Sequence, residues 1–334
     1  MENGAMTVLE ICAGAGGQSS GLETAGFQHV CAVEIDRDAA NTLRLNRPDW
    51  AVVEGDVREF DASSYKGVTL LAGGVPCPPF SVAGKQLGPD DERDLFPRAL
   101  ELVAQMRPDA VMLENVKGLA SDRFTPYRAS ILHQLHQMGY ETDWQLLQAS
   151  WYGVPQLRPR FILVAMRPKY FARFNWPTPI GDPPTVGQVL WELMSANGWA
   201  GAANWSHNAN DIAPTIVGGS KKHGGADLGP TRSRLAWRKL GVDGLSLADA
   251  APPADAPADL VPHLTNAMVA LLQGFPKEWQ FAGGKTAVYR QIGNAFPPPV
   301  AANVGLAIEA ALAGRSSQRA QQPLVFHEAE SVFA

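Results

Sequence analysis

Residues 1–165 alternate short β-branched runs with longer amphipathic stretches, and this alternation is the feature that most narrows the possible folds. Strands are expected at 7–12, 29–34, 68–72, 109–113, 144–149 and 161–166, with a further short one before Gly55. Helical periodicity fills the gaps at 37–46, 95–106 and 126–138. Strands separated by helices imply βαβ units, hence an α/β fold with a mostly parallel sheet covered on both faces. Ligands of such sheets bind beyond the C-terminal ends of the strands, so the residues that follow each strand carry the functional reading.

After about Pro168 the texture changes. Prolines at 177, 179, 183, 184 and 214 and glycine pairs at 218–219 and 224–225 interrupt the periodicity. The expected division is a catalytic and cofactor-binding domain at 1–168 and a smaller, loop-rich region at 169–275, which includes the low-complexity loop 248–258. A return segment at 276–314, with an apolar helix over 298–313, completes the first domain, and 315–334 is a tail. Composition excludes several classes. No run of about eighteen apolar residues is present to span a membrane, and no signal-peptide pattern opens the chain. Three cysteines, Cys12, Cys31 and Cys77, supply neither a disulfide framework nor metal-ligand spacing, which fits a reducing, cytoplasmic setting and no metal. The net charge of −5 argues against sequence-blind binding of a polyanion over the whole surface but leaves room for a local basic face.

The first strand runs into Ala13-Gly14-Ala15-Gly16-Gly17, with a helix starting near 18–20. Glycines there permit a sharp turn and close approach of a ligand to free helix N–H groups. The second strand ends in Glu34-Ile35-Asp36, where an acid suits a ribose diol. Gly55-Asp56-Val57 adds a carboxylate able to accept from an adenine amino group. A nicotinamide dinucleotide and S-adenosylmethionine both satisfy these features, and the loop is not a GxGxxG. The fourth strand empties into Gly73-Gly74-Val75-Pro76-Cys77-Pro78-Pro79-Phe80-Ser81, the fifth into Glu114-Asn115-Val116, and Gln156-Leu157-Arg158-Pro159-Arg160 precedes another strand. One cysteine, one glutamate and two arginines are thereby expected on one rim of the sheet.

In order and spacing, GGVPCPPFS, ENV, QLRPR and YRQIGNAFPPPVA resemble the signature blocks of cytosine-C5 DNA methyltransferases of the bacterial restriction-modification type, and ICAGAGG, VEID and GDV resemble that family's cofactor blocks. The resemblance covers about 1–166 and 263–313. It implies the Rossmann-like fold of S-adenosylmethionine-dependent methyltransferases and methyl transfer to C5 of a flipped-out cytosine in a specific duplex DNA sequence, with S-adenosylhomocysteine as product. Cys77 is then the thiolate that adds to C6, Glu114 the group at N3 and the exocyclic amine, and Arg160, with Arg158 close by, the holder of O2. On the cofactor side it implies Ala13 to Gly17, Glu34 at the ribose, Ile35 on adenine, Asp56 at the adenine amine and Asn294 on the methionine side, with Val57, Pro76, Leu95 and Ala295 in the same pocket. Segment 81–95 becomes the loop that closes over the base, with Ser81, Lys85 and Arg93 meeting DNA. Double-stranded DNA is the implied partner of a monomer with no membrane contact, located in the cytoplasm at the nucleoid and functioning beside a restriction endonuclease, although no feature of the chain identifies one.

The chain departs from the family pattern at Cys12, where phenylalanine is usual, at Pro78 in place of a glutamine, and at Pro262 and Met268 in place of an arginine and a glutamate. Between Thr215 and Leu240 six basic residues face the single acid Asp227. Lys221, Lys222, His223, Arg232 and Arg234 are the expected DNA contacts of that stretch, by phosphate binding with base readout; a solvated helix face is the other reading of 234–239. Three further functions remain open: an RNA (tRNA) cytosine-C5 methyltransferase of the same fold, a catalytically silent DNA-binding relative, and a dinucleotide oxidoreductase, which leaves the cysteine, glutamate and arginines unexplained.

Overall fold

The computed structural model describes residues 5–75, 94–219 and 225–315. Within them, strands β1 (Thr7–Ile11), β2 (Gln28–Glu34), β3 (Val52–Glu54), β4 (Leu70–Gly74), β5 (Ala110–Val116), β6 (Glu141–Gln148) and β7 (Pro159–Met166) form one sheet, ordered β3-β2-β1-β4-β5-β7-β6. Pairing from β3 through β5 is parallel, whereas β7 runs antiparallel to both β5 and β6. The helices are α1 (Gly17–Thr24), α2 (Arg37–Asn46), α3 (Phe96–Met106), α4 (Thr125–Gln137), α5 (Pro168–Phe171), α6 (Val186–Ser195), α7 (Ala202–Asn208), α8 (Thr231–Lys239), α9 (Asn266–Gln273), α10 (Lys285–Asn294) and α11 (Pro298–Leu312).

Apolar alternation in the strands explains the layering. Leu9, Ile11, Leu71, Val111, Leu113 and Leu163 share one buried core with Phe96, Leu100, Val103, Ile131 and Leu135 of α3 and α4. The intervening Val8, Leu70, Ala72, Met112, Ile162 and Val164 face the opposite core, with Leu22 of α1 and Val300, Val304 and Ile308 of α11. Both faces are thus covered, as the near-continuous apolar strands require. The apolar stretch Lys285–Leu312 is long enough to cross a membrane by composition, yet 83% of its most apolar window is buried inside the molecule. A methyl group added at Gly21 of α1 would stand 2.4 Å from the Pro298 carbonyl and 2.6 Å from the Ala301 side chain. Glycine there is what lets α1 and α11 lie against each other.

Three element boundaries bear on the site. β1 stops at Ile11 because Cys12 takes φ +50, one residue short of the expected end. β5 continues through Glu114 and Asn115 to Val116, and β7 starts at Pro159 rather than 161. Glu114 and Arg160 therefore sit on strands rather than on loops. Reversal of β7 brings its N-terminal end to the C-terminal edge of the parallel strands, where Arg160 pairs with Val116.

Apart from the sheet, whose two covered faces together make the first core, a second core is built from Leu190 and Met194 of α6, Trp199, Trp205 of α7, Trp237 of α8 and residues of α9 and α10. The alanine-rich loop 248–258 is strapped to it: Trp199 Nε1 donates to the Pro257 carbonyl at 2.8 Å and Asn197 Nδ2 to that of Ala251 at 2.9 Å. The two cores meet at Arg158, 1% exposed. Its Nη1 donates to the Ile216 carbonyl at 2.7 Å, and its Nη2 to the carbonyls of Gly293 and Ala295 at 2.8 Å each. Gln156, two residues earlier on the same face, donates to the Leu272 carbonyl and to Gln273 Oε1, and accepts from the Ile216 amide. Gln273 in turn donates to the Ala295 carbonyl at 2.7 Å.

Arg158→Ala strands three buried carbonyls at a cost of about 1–3 kcal/mol each before relaxation. A loss of at least ~3 kcal/mol is expected in urea denaturation, with Arg158→Lys intermediate. Gly21→Ala is expected to lower stability by about 1–3 kcal/mol through overpacking of α1 on α11, read by the same titration.

Candidate active site

At the C-terminal edge of the sheet the Arg160 Nε lies 2.7 Å from Glu114 Oε1, with both side chains 11% exposed. The geometry follows from register: Glu114 opposes Ile162 across the β5–β7 ladder, so Arg160, two residues earlier, shares its face. On the other side Glu114 neighbours Gly74 of β4. A side chain at Gly74 would begin 3.4 Å from Glu114 Oε2, so the glycine keeps that oxygen uncovered toward the exit of β4. Asn115 Nδ2 donates to the Val75 carbonyl at 3.4 Å and ties that exit to β5. Burial pushes the Glu114 carboxyl above its ordinary pKa, while the Arg160 and Arg158 cations oppose the rise. The result is a carboxyl able to carry a proton, with one oxygen steered by a guanidinium and the other directed at the β4 exit.

Arg158 departs from the expectation of contact with a substrate oxygen. Its two terminal nitrogens are spent on the carbonyls of Ile216, Gly293 and Ala295, so its influence on the site is exerted through position and through the field it adds at Glu114. Cys77, Pro76, Ser81, Lys85, Arg93, Lys221, Lys222 and His223 lie outside the described residues. The two described cysteines have the wrong character for a nucleophile: burial, and for Cys12 then the Glu34 carboxylate, push both thiols up.

The second cluster forms where β1, β2 and β3 end. Glu34 Oε2 accepts from the Gly14 amide and Oε1 from the Asp36 amide, each at 2.7 Å, so one buried carboxylate locks the glycine loop to the end of β2. Burial raises its pKa against the pull of those amides. Gly14 and Gly16 adopt φ +57 and +87, conformations natural to glycine, and Gly14 faces open space. Ile35 is 65% exposed between two polar residues, whereas Val57 is buried. Asp56 accepts from the Arg58 amide at 2.9 Å and its guanidinium at 2.8 Å, which lowers its pKa. Leu95 precedes α3 and is buried.

The return segment reaches this cluster. Ala295 packs beside Gly17, where an added methyl would come within 3.0 Å of its Cβ. Asn294 Nδ2 donates to the Gly219 carbonyl at 3.2 Å. Gly293 and Gly218 touch backbone to backbone: a methyl on Gly293 would lie 2.5 Å from Gly218 Cα. Thus Asn294 and Ala295 join the glycine loop to the loop-rich region. Arg232 is exposed on α8 and Arg234 half-buried, with Trp237 anchoring the helix in the second core. Asp227 instead shapes a turn by accepting from the Gly229 amide. Gln156, which opens the QLRPR block, and Gln273 have structural roles that no motif marks, because each is defined by carbonyls and amides distant in the chain.

Residues 6–310 match the family described as C-5 cytosine-specific DNA methylase. The chain is 58% identical over 311 residues to the type II methyltransferase M.NaeI of Lentzea aerocolonigenes, covering 92% of this chain and 75% of that one. It is 52% identical over 310 residues to the type II methyltransferase M.NgoMIV of Neisseria gonorrhoeae, covering 92% and 98%. In fold it is similar to a prophage-encoded Escherichia coli protein described as a DNA modification methyltransferase, with a TM-score of 0.66 at 23% identity over 92% of this chain and 100% of that one. With two clusters at one sheet edge and the family's sequence over nearly its whole length, this chain belongs to the C-5 cytosine-specific DNA methylases.

Proposed function

We propose that this methylase acts on a flipped-out cytosine within a specific duplex DNA sequence, through a covalent bond between Cys77 Sγ and C6 of the base. The observation that supports it best is the buried Glu114–Arg160 pair beside the exit of β4, three residues before Cys77. Addition of the thiolate to C6 moves the C5–C6 π electrons toward N3, and a proton from Glu114 neutralises the charge that arrives there. The Glu114 oxygen turned toward β4 is the one suited to N3 and the exocyclic amine, while the Arg160 guanidinium suits O2. Electrons returning from N3 make C5 nucleophilic; S-adenosylmethionine, when bound, supplies the electrophilic methyl group to that carbon. Loss of the C5 proton to solvent water then restores the double bond and expels Cys77 as thiolate, and N3 returns its proton to Glu114. A stacked base cannot reach these groups, so the cytosine leaves the helix.

The residues at the ends of β1 to β3 fit the cofactor. The open face of Gly14 leaves room for it, the uncovered Ile35 offers an apolar surface for adenine, and the Glu34 carboxylate, at the end of β2 beside that loop, suits the ribose diol. Asp56 suits the adenine amine, and Asn294 and Ala295 the methionine end. Region 169–275 is the part assigned to reading DNA, with Arg232 and Arg234 meeting phosphates beside Lys221, Lys222 and His223. A monomer in the bacterial cytoplasm, at the nucleoid and paired with a restriction endonuclease, completes this reading.

Bisulfite sequencing of DNA from cells expressing the protein is expected to show methylcytosine at one short sequence; transfer of label to tRNA and not to duplex DNA overturns the substrate assignment. Cys77→Ala is expected to abolish both methylation and the denaturation-resistant adduct that wild-type protein forms on a site carrying 5-fluorocytosine, whose fluorine cannot leave as the proton does. Glu114→Gln keeps the hydrogen bond but cannot release a proton, so kcat is expected to fall about 10²–10⁴-fold. The proton is present below the raised pKa of Glu114 and lost above it. Wild-type kcat therefore declines as pH rises through that value, a limb absent from the residual activity of Glu114→Gln.

A further inference from the structure

The helix that follows the cofactor loop, α1, lacks a side-chain cap, and Gly16 is the residue before it. The loop is instead supported from the return segment by Trp279, which is 6% exposed. The indole Nε1 donates to the Ala15 carbonyl at 3.1 Å. Its six-membered ring lies flush on Gly16, where an added methyl would stand 2.6 Å from Cζ2. Trp279 is itself held. A turn bond from its amide to the Pro276 carbonyl fixes its backbone, and the ring packs beside Phe275 at 6.1 Å between centroids. The Arg47 guanidinium sits 5.1 Å from the ring centre and 5.8 Å from that of Trp50. Arg47 is clamped in turn by Glu23 of α1, at 2.8 and 2.9 Å through Nε and 2.5 Å through Nη2.

We propose that Trp279 is a positioning residue for cofactor binding, which holds residues Ala13 to Gly17 in the shape that accepts S-adenosylmethionine. The proposal rests on the assignment of this loop to the cofactor. Two properties of the indole act together. The N–H orients one loop carbonyl, and so turns the peptide between Ala15 and Gly16 and the amides that follow it. The ring fills the space behind the left-handed Gly16, against which the loop would otherwise collapse. Phenylalanine retains most of the second property and none of the first. Trp279 also belongs to the second core, so the support reaches the loop from the region that follows the DNA-reading segment in the chain.

Calorimetric titration of the full chain with S-adenosylhomocysteine tests this without turnover. Trp279→Phe is expected to weaken binding about tenfold, and kcat at saturating cofactor to fall by a smaller factor than affinity does. A purely structural residue would lower the active fraction and the melting temperature while leaving the dissociation constant of the folded fraction in place, and that outcome overturns the proposal. A wild-type protein that binds no S-adenosylhomocysteine defeats the cofactor assignment itself, so the two failures are distinct. Should Trp279→Phe fail to fold, amide hydrogen exchange on the wild type decides. Protection gained on ligand binding at both 13–17 and 276–281 supports the support role, and protection confined to 13–17 refutes it.

Discussion

Three backbone carbonyls converge on the buried guanidinium of Arg158, and through it two cores become one molecule. A cation this deep is tolerable only where most of its donors are matched, as both terminal nitrogens of Arg158 are while its Nε is not, because an unpaired buried charge is among the costliest features a fold can hold. The carbonyls come from Ile216, just before the glycine pair of the loop-rich region, and from Gly293 and Ala295 at the end of α10. Gln156 and Gln273 complete the network by binding the same segments. The chain therefore leaves the first core after β7, builds a second core, and is returned to the sheet at a place set by hydrogen bonds as well as by apolar packing.

Strand β7 also carries the arginine of the proposed reacting pair. Because β7 is reversed relative to its neighbours, its first residues occupy the edge at which β4 and β5 end. Arg160 is thereby held by a ladder instead of a loop, and it meets Glu114 with little freedom lost on binding substrate. Preorganised charge of this kind is where much of catalysis resides. Burial raises the pKa of Glu114 and the neighbouring cations restrain the rise. The balance leaves a carboxyl that can give a proton without abandoning its guanidinium partner.

Much of this was legible in the chain. The alternation of strand and helix patterns yielded the α/β sheet, and α2 at Arg37–Asn46 coincides with its periodicity because Asp36 caps it through the Asp38 and Ala39 amides. The blocks around Glu114, Arg160, Glu34 and the glycine loop stand at the sheet edge where strand ends were expected. Arg158 was legible as important but not as structural: a guanidinium before a strand looks alike whether it faces a ligand or a carbonyl, and only the path of segments 58 to 137 residues away separates the two. Trp279 carried no motif, since a tryptophan in a turn acquires meaning only from the loop it touches. Glu34 showed a further subtlety, for its carboxylate organises the loop before it can meet a ribose.

The sequence by itself determined the family, the layered α/β class and the residue types at the reacting edge, because these follow from local periodicity and from short blocks whose spacing the chemistry constrains. Only the tertiary structure decided that β7 inserts backwards between β5 and β6, that Arg160 and not Arg158 turns to Glu114, and that the return segment packs on the glycine loop. Those outcomes depend on contacts between residues far apart in the chain. Such contacts are set by the demand that every buried charge and carbonyl find a partner, and local patterns do not record which partner is found.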